Sequence, residues 1–178
     1  GIRALKALGI HVGATHMNEG HSAFLALERI RVLMEEYGLD AHSAIQAFIP
    51  TNVFTTHTPV PAGNERFGIE LMEKYFRSFV TALGLDWNEF LGMGRENPLD
   101  KQESFCMTVF ALRLSVRSNG VSKLHGEVSR RMWKGLWPEL DLKEIPIGHV
   151  TNGVFPRTWI SHDMLSLLDK FLGPKFEL

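Results

Sequence analysis

A helix-rich α/β fold with parallel strands and flanking helices is what this sequence predicts, and three observations carry that prediction. Short runs rich in small, β-branched or aromatic residues stand at Ile10–Met17, Asn52–Thr58 and Ile145–Val150. Between them lie longer stretches whose apolar residues recur roughly every 3.6 positions, the helical period. Each strand candidate also empties into a polar loop, and in a parallel sheet the loops past the carboxyl ends of the strands carry the ligand site.

The elements follow in order. Gly1–Leu8 places Ile2, Leu5 and Leu8 on one helical stripe with cations between them, so the chain opens inside an element and, lacking an initiator Met, reads as a cut fragment. After the Ile10–Met17 strand, a helix spans His21–Tyr37 on the stripe Ala23, Leu27, Ile30, Met34 and Tyr37, with Gly38 where a C-terminal cap belongs. A shorter helix runs from Asp40 to Phe48 and is closed by Pro50. The Asn52–Thr58 strand ends at Pro59 and Pro61, neither of which could donate within a ladder. Met72, Tyr75, Phe76, Phe79, Val80 and Leu83 then mark a helix over Gly68–Leu83 that stops at Gly84. A short helix over Asp86–Gly94 is followed by a polar loop to Ser104. Phe105–Val116, twelve residues apolar on nearly every side, reads as a buried helix. Asn119-Gly120 reads as the cap before another helix, because Val121, Leu124, Val128 and Met132 resume helical spacing. The last strand, Ile145–Val150, leads through Thr151–Gly153 to a closing helix over Arg157–Phe171.

Composition narrows the function. The 178 residues carry 19 Lys+Arg against 20 Asp+Glu, a formal charge of −1, which argues against a nucleic-acid surface and against an acidic tail. With 44% hydrophobic and 22% charged residues, the chain has the makings of one packed core. Cys106, between Phe105 and Met107, is the only cysteine and reads as a small buried side chain in a reducing, cytoplasmic compartment. No apolar run is long enough to span a bilayer, and Gly1–Gly9 lacks the apolar core of a signal peptide, so no membrane partner is expected.

Three loops concentrate chemistry. His16-Met17-Asn18-Glu19-Gly20-His21 packs two imidazoles, an amide and a carboxylate into one turn. Metal ligands on one helical face need i, i+4 spacing, and here the histidines are five apart. In a plainer reading Asn18 caps the helix and Glu19 favours its positive end; the crowding of hydrogen-bonding groups instead suits a polyhydroxylated ligand. The segment from Thr55 to Glu65 places His57 at a strand end on a proline-stiffened exit, which can fix a ligand hydroxyl at little entropic cost. Thr151–Trp159 is either a turn with Pro156 near a helix start or an Asn-Gly pair presenting an amide. Lys123, Arg130, Arg131 and Lys134 read as a solvated face, and glycine-rich phosphate signatures are absent.

Taken together, HMNEGHSAFLALERIR (16–31), VFTTHTPVPAGNERF (53–67), RSNGVSKLHGEVSRRMW (117–133) and VTNGVFPRTW (150–159) resemble the α-glucan (glycogen, starch or maltodextrin) phosphorylases, in order and over nearly all of the chain. The resemblance implies part of a Rossmann-like domain of glycosyltransferase B type. Residues 1–152 would be the latter part of the first of two such domains, and 153–178 the hinge toward the second. It further implies retaining phosphorolysis of terminal α-1,4 bonds to glucose 1-phosphate, with α-1,4-glucan and inorganic phosphate as partners and a possible homo-oligomer. His57 matches the family histidine that contacts the sugar's primary hydroxyl and whose carbonyl faces the anomeric centre, which makes it the catalytic candidate. Asn18, Glu19, His21, Thr58, Glu65 and Asn152 match cleft positions as substrate contacts, and the block Asn119–Glu127 matches one that packs the cleft wall. The family cofactor is pyridoxal phosphate; its lysine has no counterpart here, and Lys170 and Lys175 lie in unmatched sequence. The chain alone is therefore expected to be inactive. Two other readings stand beside this one: a noncatalytic glucan-binding module, and a metal-dependent hydrolase built on His16, His21 and His57.

Overall fold

The computed structural model describes residues 1–173; the remaining five, Lys175 among them, lie outside the described residues. In chain order the elements are α1 (Ile2–Ala7), β1 (Thr15–Asn18), α2 (Leu25–Tyr37), α3 (Ala41–Phe48), β2 (Asn52–Thr56), β3 (Arg66–Phe67), α4 (Ile69–Ala82) and α5 (Trp87–Met93). They continue with β4 (Phe105–Cys106), α6 (Met107–Arg113), β5 (Arg117–Gly120), α7 (Lys123–Met132), β6 (Ile147–His149), α8 (Pro156–Trp159) and α9 (His162–Leu172). Four strands form one sheet in the order β1-β2-β5-β6, every pair parallel, and β3 pairs antiparallel with β4. The α/β class and the parallel sheet with helices packed on it are thus as the sequence predicts. None of the helices is long and apolar enough to cross a membrane among the described residues.

Local chemistry explains most element ends. Asp40 caps α3 by accepting from Ser43 N at 3.0 Å, and Asp86 caps α5 by accepting from Asn88 N and Glu89 N. Gly38 ends α2 at φ 66°, a left-handed cap. One face of the sheet is packed: Met17, Phe54 and Ile147 join a core with Leu27, Ile30, Phe48, Phe90, Phe105, Phe110 and Trp133. Phe24, Phe76, Phe90, Phe105 and Phe110 form an aromatic cluster there, with Phe105 5.2 Å from Phe110 and 5.3 Å from Phe90. Asn52, fully buried, ties three strand starts together: its amide accepts from Thr15 Oγ1 at 2.8 Å and donates to Leu114 O at 2.8 Å. The opposite face is open, with His16, Asn18, Val53 and Arg117 exposed along it.

Several expectations need correction. The Ile10–Met17 strand shrinks to Thr15–Asn18, since residues 9 to 14 find no ladder partner and Gly9 turns the chain at φ 70°. The long helix begins at Leu25, after a tight turn at Gly20–Ser22 that Glu19, not Asn18, caps. Phe105–Val116 is not one helix: Phe105–Cys106 pairs with Arg66–Phe67 before α6 starts. Asn119-Gly120 is no helix cap but lies in β5, between β2 and β6. Its polar, small residues carry no strand signal; two parallel neighbours impose the conformation, and tertiary pairing overrides propensity. The closing helix is two, because Ser161 starts α9 afresh by accepting from Met164 N. Of the four cations read as solvated, Arg130 donates to Ile147 O at 2.8 Å and so ties α7 to β6, while Lys134 donates to Pro138 O at 2.8 Å and closes the turn that follows α7. Cys106 is buried, and that burial pushes its thiol pKa up.

Candidate active site

The carboxyl ends of the four parallel strands share one rim, and a concavity of about 270 Å³ opens there on the uncovered face of the sheet. β1 supplies His16 and Asn18, β2 and the residue beyond it Thr55 and His57, β5 Asn119, and the segment after β6 Val150 and Asn152. The three strand tips carrying Asn18, His57 and Asn152 therefore meet around one space. A larger hollow of about 500 Å³ lies between α1, α2 and α4, but Phe24, Tyr75, Phe76 and Phe79 dominate its walls and few polar groups converge on it.

The polar groups of the rim are wired to each other. His57 Nε2 and Asn18 Oδ1 lie 2.6 Å apart; a carbonyl oxygen only accepts, so the ring donates from Nε2. A second chain crosses three strands. Thr55 Oγ1 donates to Asn119 Oδ1 at 3.1 Å, and the hydroxyl in turn takes the Nε2 proton of His16 at 2.8 Å. Asn119 Nδ2 donates to Gly120 O. Asn152 is anchored by its backbone N–H on Val121 O at 3.1 Å, leaving its amide exposed beside the concavity.

Glu19 does something other than line the cleft. Its Oε2 accepts from His57 N at 2.6 Å and from Thr58 Oγ1 at 3.0 Å, while Oε1 accepts from Gly20 N at 3.1 Å and Thr56 Oγ1 at 3.5 Å. Thr58 thus faces Glu19, with its hydroxyl engaged. His21 is exposed on the following turn, outside the concavity. Glu65 is exposed as well and touches the fold through its carbonyl, which accepts from Met107 N at 3.0 Å. The loop between His57 and Glu65 is stiffened as its prolines predict, and Asn64 adds a pin: it donates to Val60 O and Pro61 O and accepts from Thr108 Oγ1 at 2.8 Å.

Three residues of the rim and its support escape a reading based on composition and loops. Asn119 is hidden by the mistaken cap, and Thr55 is masked as one hydroxyl among several. His125 is the third. Val121 N donates to its Nδ1 at 3.1 Å, which fixes the tautomer so that Nε2 donates to Thr58 O at 3.2 Å. The usable signal was periodicity of two: Asn18, Thr55 and Asn119 occupy directly paired positions across β1, β2 and β5.

The chemistry open to this rim is recognition of hydroxyls by neutral amides and imidazoles, with one carboxylate already committed to the backbone. Among the described residues, no three His, Cys, Asp or Glu side chains gather as metal ligands, which leaves the metal-dependent hydrolase without a ligand set. The concavity also contains no lysine or arginine.

Comparison with known proteins gives these observations a context. A family profile described as carbohydrate phosphorylase matches residues 6–177. The chain is 43% identical over 173 residues to the maltodextrin phosphorylase of Thermococcus litoralis, covering 97% of this chain and 20% of that protein. It is 43% identical over 185 residues to the glycogen phosphorylase of Mycobacterium tuberculosis, covering 97% of this chain and 21% of that protein. It is 38% identical over 172 residues to the glycogen phosphorylase of Aquifex aeolicus, covering 97% of this chain and 24% of that protein. The chain therefore spans about a fifth of the length of the curated relatives it matches.

Proposed function

The chain belongs to the carbohydrate phosphorylase family, and from that membership we propose that it forms the sugar-facing wall of an α-glucan phosphorylase active site. The complete protein would move the terminal glucosyl unit of an α-1,4-glucan onto inorganic phosphate, releasing glucose 1-phosphate with retention. The observation that supports this reading is the meeting of Asn18, His57, Asn119 and Asn152 at one rim of a parallel sheet. In it His57 takes the sugar's primary hydroxyl, held in place by Asn18, and Asn152 grips the same hydroxyl. The His57 carbonyl favours positive charge at the anomeric carbon as the glycosidic bond breaks.

A retaining hydrolase needs a second carboxylate as nucleophile. Among the described residues the carboxylate bonded into the segment bearing His57 is that of Glu19, and backbone and threonine donors occupy it. Phosphate replaces that nucleophile without a covalent enzyme intermediate: the glycosidic C–O bond breaks, and an oxygen of phosphate bonds to the anomeric carbon from the face that the leaving oxygen vacates, which keeps the configuration. The proton that phosphate carried goes to that leaving oxygen. For the complete enzyme we propose pyridoxal phosphate as the cofactor. The residues of this rim do not fit it, because a Schiff base needs an amine and a bound phosphate needs cations, and the concavity has neither. Its site is assigned outside this chain. Residues 1–152 are proposed as the latter part of the first domain and 153–178 as the hinge, supported by α8 and α9 having no buried residue. The buried, single Cys106 supports the cytoplasm as the compartment.

The test is a chimera in which this chain replaces the matching fifth of the Thermococcus litoralis relative. Glucose 1-phosphate release from maltodextrin and phosphate is expected, and His57→Ala should lower it by about a hundredfold or more, the scale of losing a group that stabilises transition-state charge and position. A His57→Ala chimera as active as its parent would refute the assignment.

A further inference from the structure

We infer that Glu19 is the positioning residue of this rim: its carboxylate, opposed by the ring of His125, fixes the His57–Thr58 segment in the orientation the sugar meets. The inference rests on the reading of His57 given above. Two side chains hold this dipeptide from opposite sides. Glu19 takes the His57 N–H at 2.6 Å and the Thr58 hydroxyl at 3.0 Å, and His125 Nε2 takes the Thr58 carbonyl at 3.2 Å. His125 is itself buried and locked by Val121 N, so the anchor does not swing. The clamp spans the sheet: Glu19 follows β1, the segment follows β2, and His125 stands in the first turn of α7 behind β5.

Backbone strain supplies an independent observation. Glu19 sits at φ 70° and ψ 164°, the one positive φ outside glycine among the described residues. Glycine adopts that conformation without penalty, and strain of this kind persists only where its surroundings over-determine it. A residue kept for stability alone would be better as glycine; a carboxylate is needed there only for what it binds. Its bound groups are the three residues at the end of β2 and beyond, Thr56, His57 and Thr58, together with the neighbouring Gly20 N–H that closes the turn.

Amide hydrogen exchange and thermal unfolding of the 178-residue chain test this with Glu19→Gly and Glu19→Gln. Glu19→Gly should speed exchange of the His57 amide by about tenfold to a hundredfold, the loss expected for a hydrogen bond to a charged acceptor, and Glu19→Gln, which keeps one neutral acceptor oxygen, should speed it by less. Phe54 and Ser118 amides within the sheet should keep their rates, and the Glu19→Gly midpoint should hold or rise as the strain is relieved. Unchanged His57 exchange in both variants would overturn the clamp, as would a lowered Glu19→Gly midpoint with exchange speeding uniformly. In the chimera, Glu19→Gly should lower kcat per folded enzyme, with the folded fraction measured by circular dichroism; a loss that only tracks the folded fraction would be simple destabilisation and would overturn the positioning role. If His57→Ala leaves the chimera's activity intact while Glu19→Gly still speeds His57 exchange, the fault lies with the role given to His57 and the clamp itself stands.

Discussion

Glu28 shows how a single carboxyl links the amino-terminal helix to the rest of the fold. It accepts from Arg31 Nη2 at 2.6 Å within α2 and meets Arg3 Nε at 2.9 Å across from α1. Burial alone would raise its pKa, but the hydrogen bonds from Arg31 and Arg3 outweigh it and hold the carboxyl below its usual value of 4.5. A lowered folded pKa means stability that is present above the usual value and lost as pH falls through the folded one. Glu28→Gln should therefore lower the unfolding free energy measured in urea at pH 7, by about 1 kcal/mol or less because Arg3 is well exposed. Its gap from the unsubstituted chain should close as the buffer is taken down from the usual carboxylate value and through the lowered folded one; a gap that persists in acid would count against this account. At this scale the sequence names residues better than it names roles. Asn18, His57 and Asn152 are visible as polar groups at strand ends and do share one concavity. Glu19 is visible as well, but nothing in the string says that its carboxylate turns back onto the chain, since that depends on a φ of 70°. His21 and Glu65 carry the right chemistry in the right loops and still lie outside the concavity, because one residue's shift along a turn redirects a side chain.

Among the elements, α7 is held closest to the sheet, and its sequence explains why. Ser122 caps it by accepting from His125 N at 3.1 Å. A Cβ on Gly126 would stand 2.8 Å from Gly148 O, and one on Gly120 2.9 Å from Gly126 N, so helix and strands touch backbone to backbone. Gly126→Ala should cost about 1–3 kcal/mol in equilibrium unfolding, the range for overpacking a site that cannot yield. It should also loosen His125 and slow any reaction that depends on the Thr58 carbonyl; unchanged stability would mean that α7 can retreat from β6 at no cost. This element also marks the limit of reading by period. Helix α7 turns His125, Gly126 and Ser129 inward and leaves Leu124 of its predicted stripe exposed, but α2, α3 and α4 announce themselves because each buries one apolar face. β5 does not, since Arg117-Ser118-Asn119-Gly120 takes its conformation from β2 and β6 on either side, information that lies some 27 to 68 residues away in the sequence.

For the whole molecule, the one-sidedness of the rim matters most. Amides and imidazoles line the concavity on the sheet side, and no lysine or arginine lines it. The purified chain, given maltodextrin and inorganic phosphate, should form no glucose 1-phosphate above background in a coupled assay, and measurable turnover would contradict the division of labour proposed here. The overall class was legible because alternation of strand and helix admits few arrangements, and all four ladder strands came out parallel. The antiparallel pair Arg66–Phe67 with Phe105–Cys106 was not, since two-residue strands carry too little pattern to detect. Because every ladder strand points the same way, the connections that return from helix to strand all arrive at the far edge of the sheet. There the exposed stretch Asp141–Glu144, just before β6, can lengthen, shorten or carry a reporter group with no bearing on the sugar. Divergence among kin should gather on that side, and so should any engineered handle.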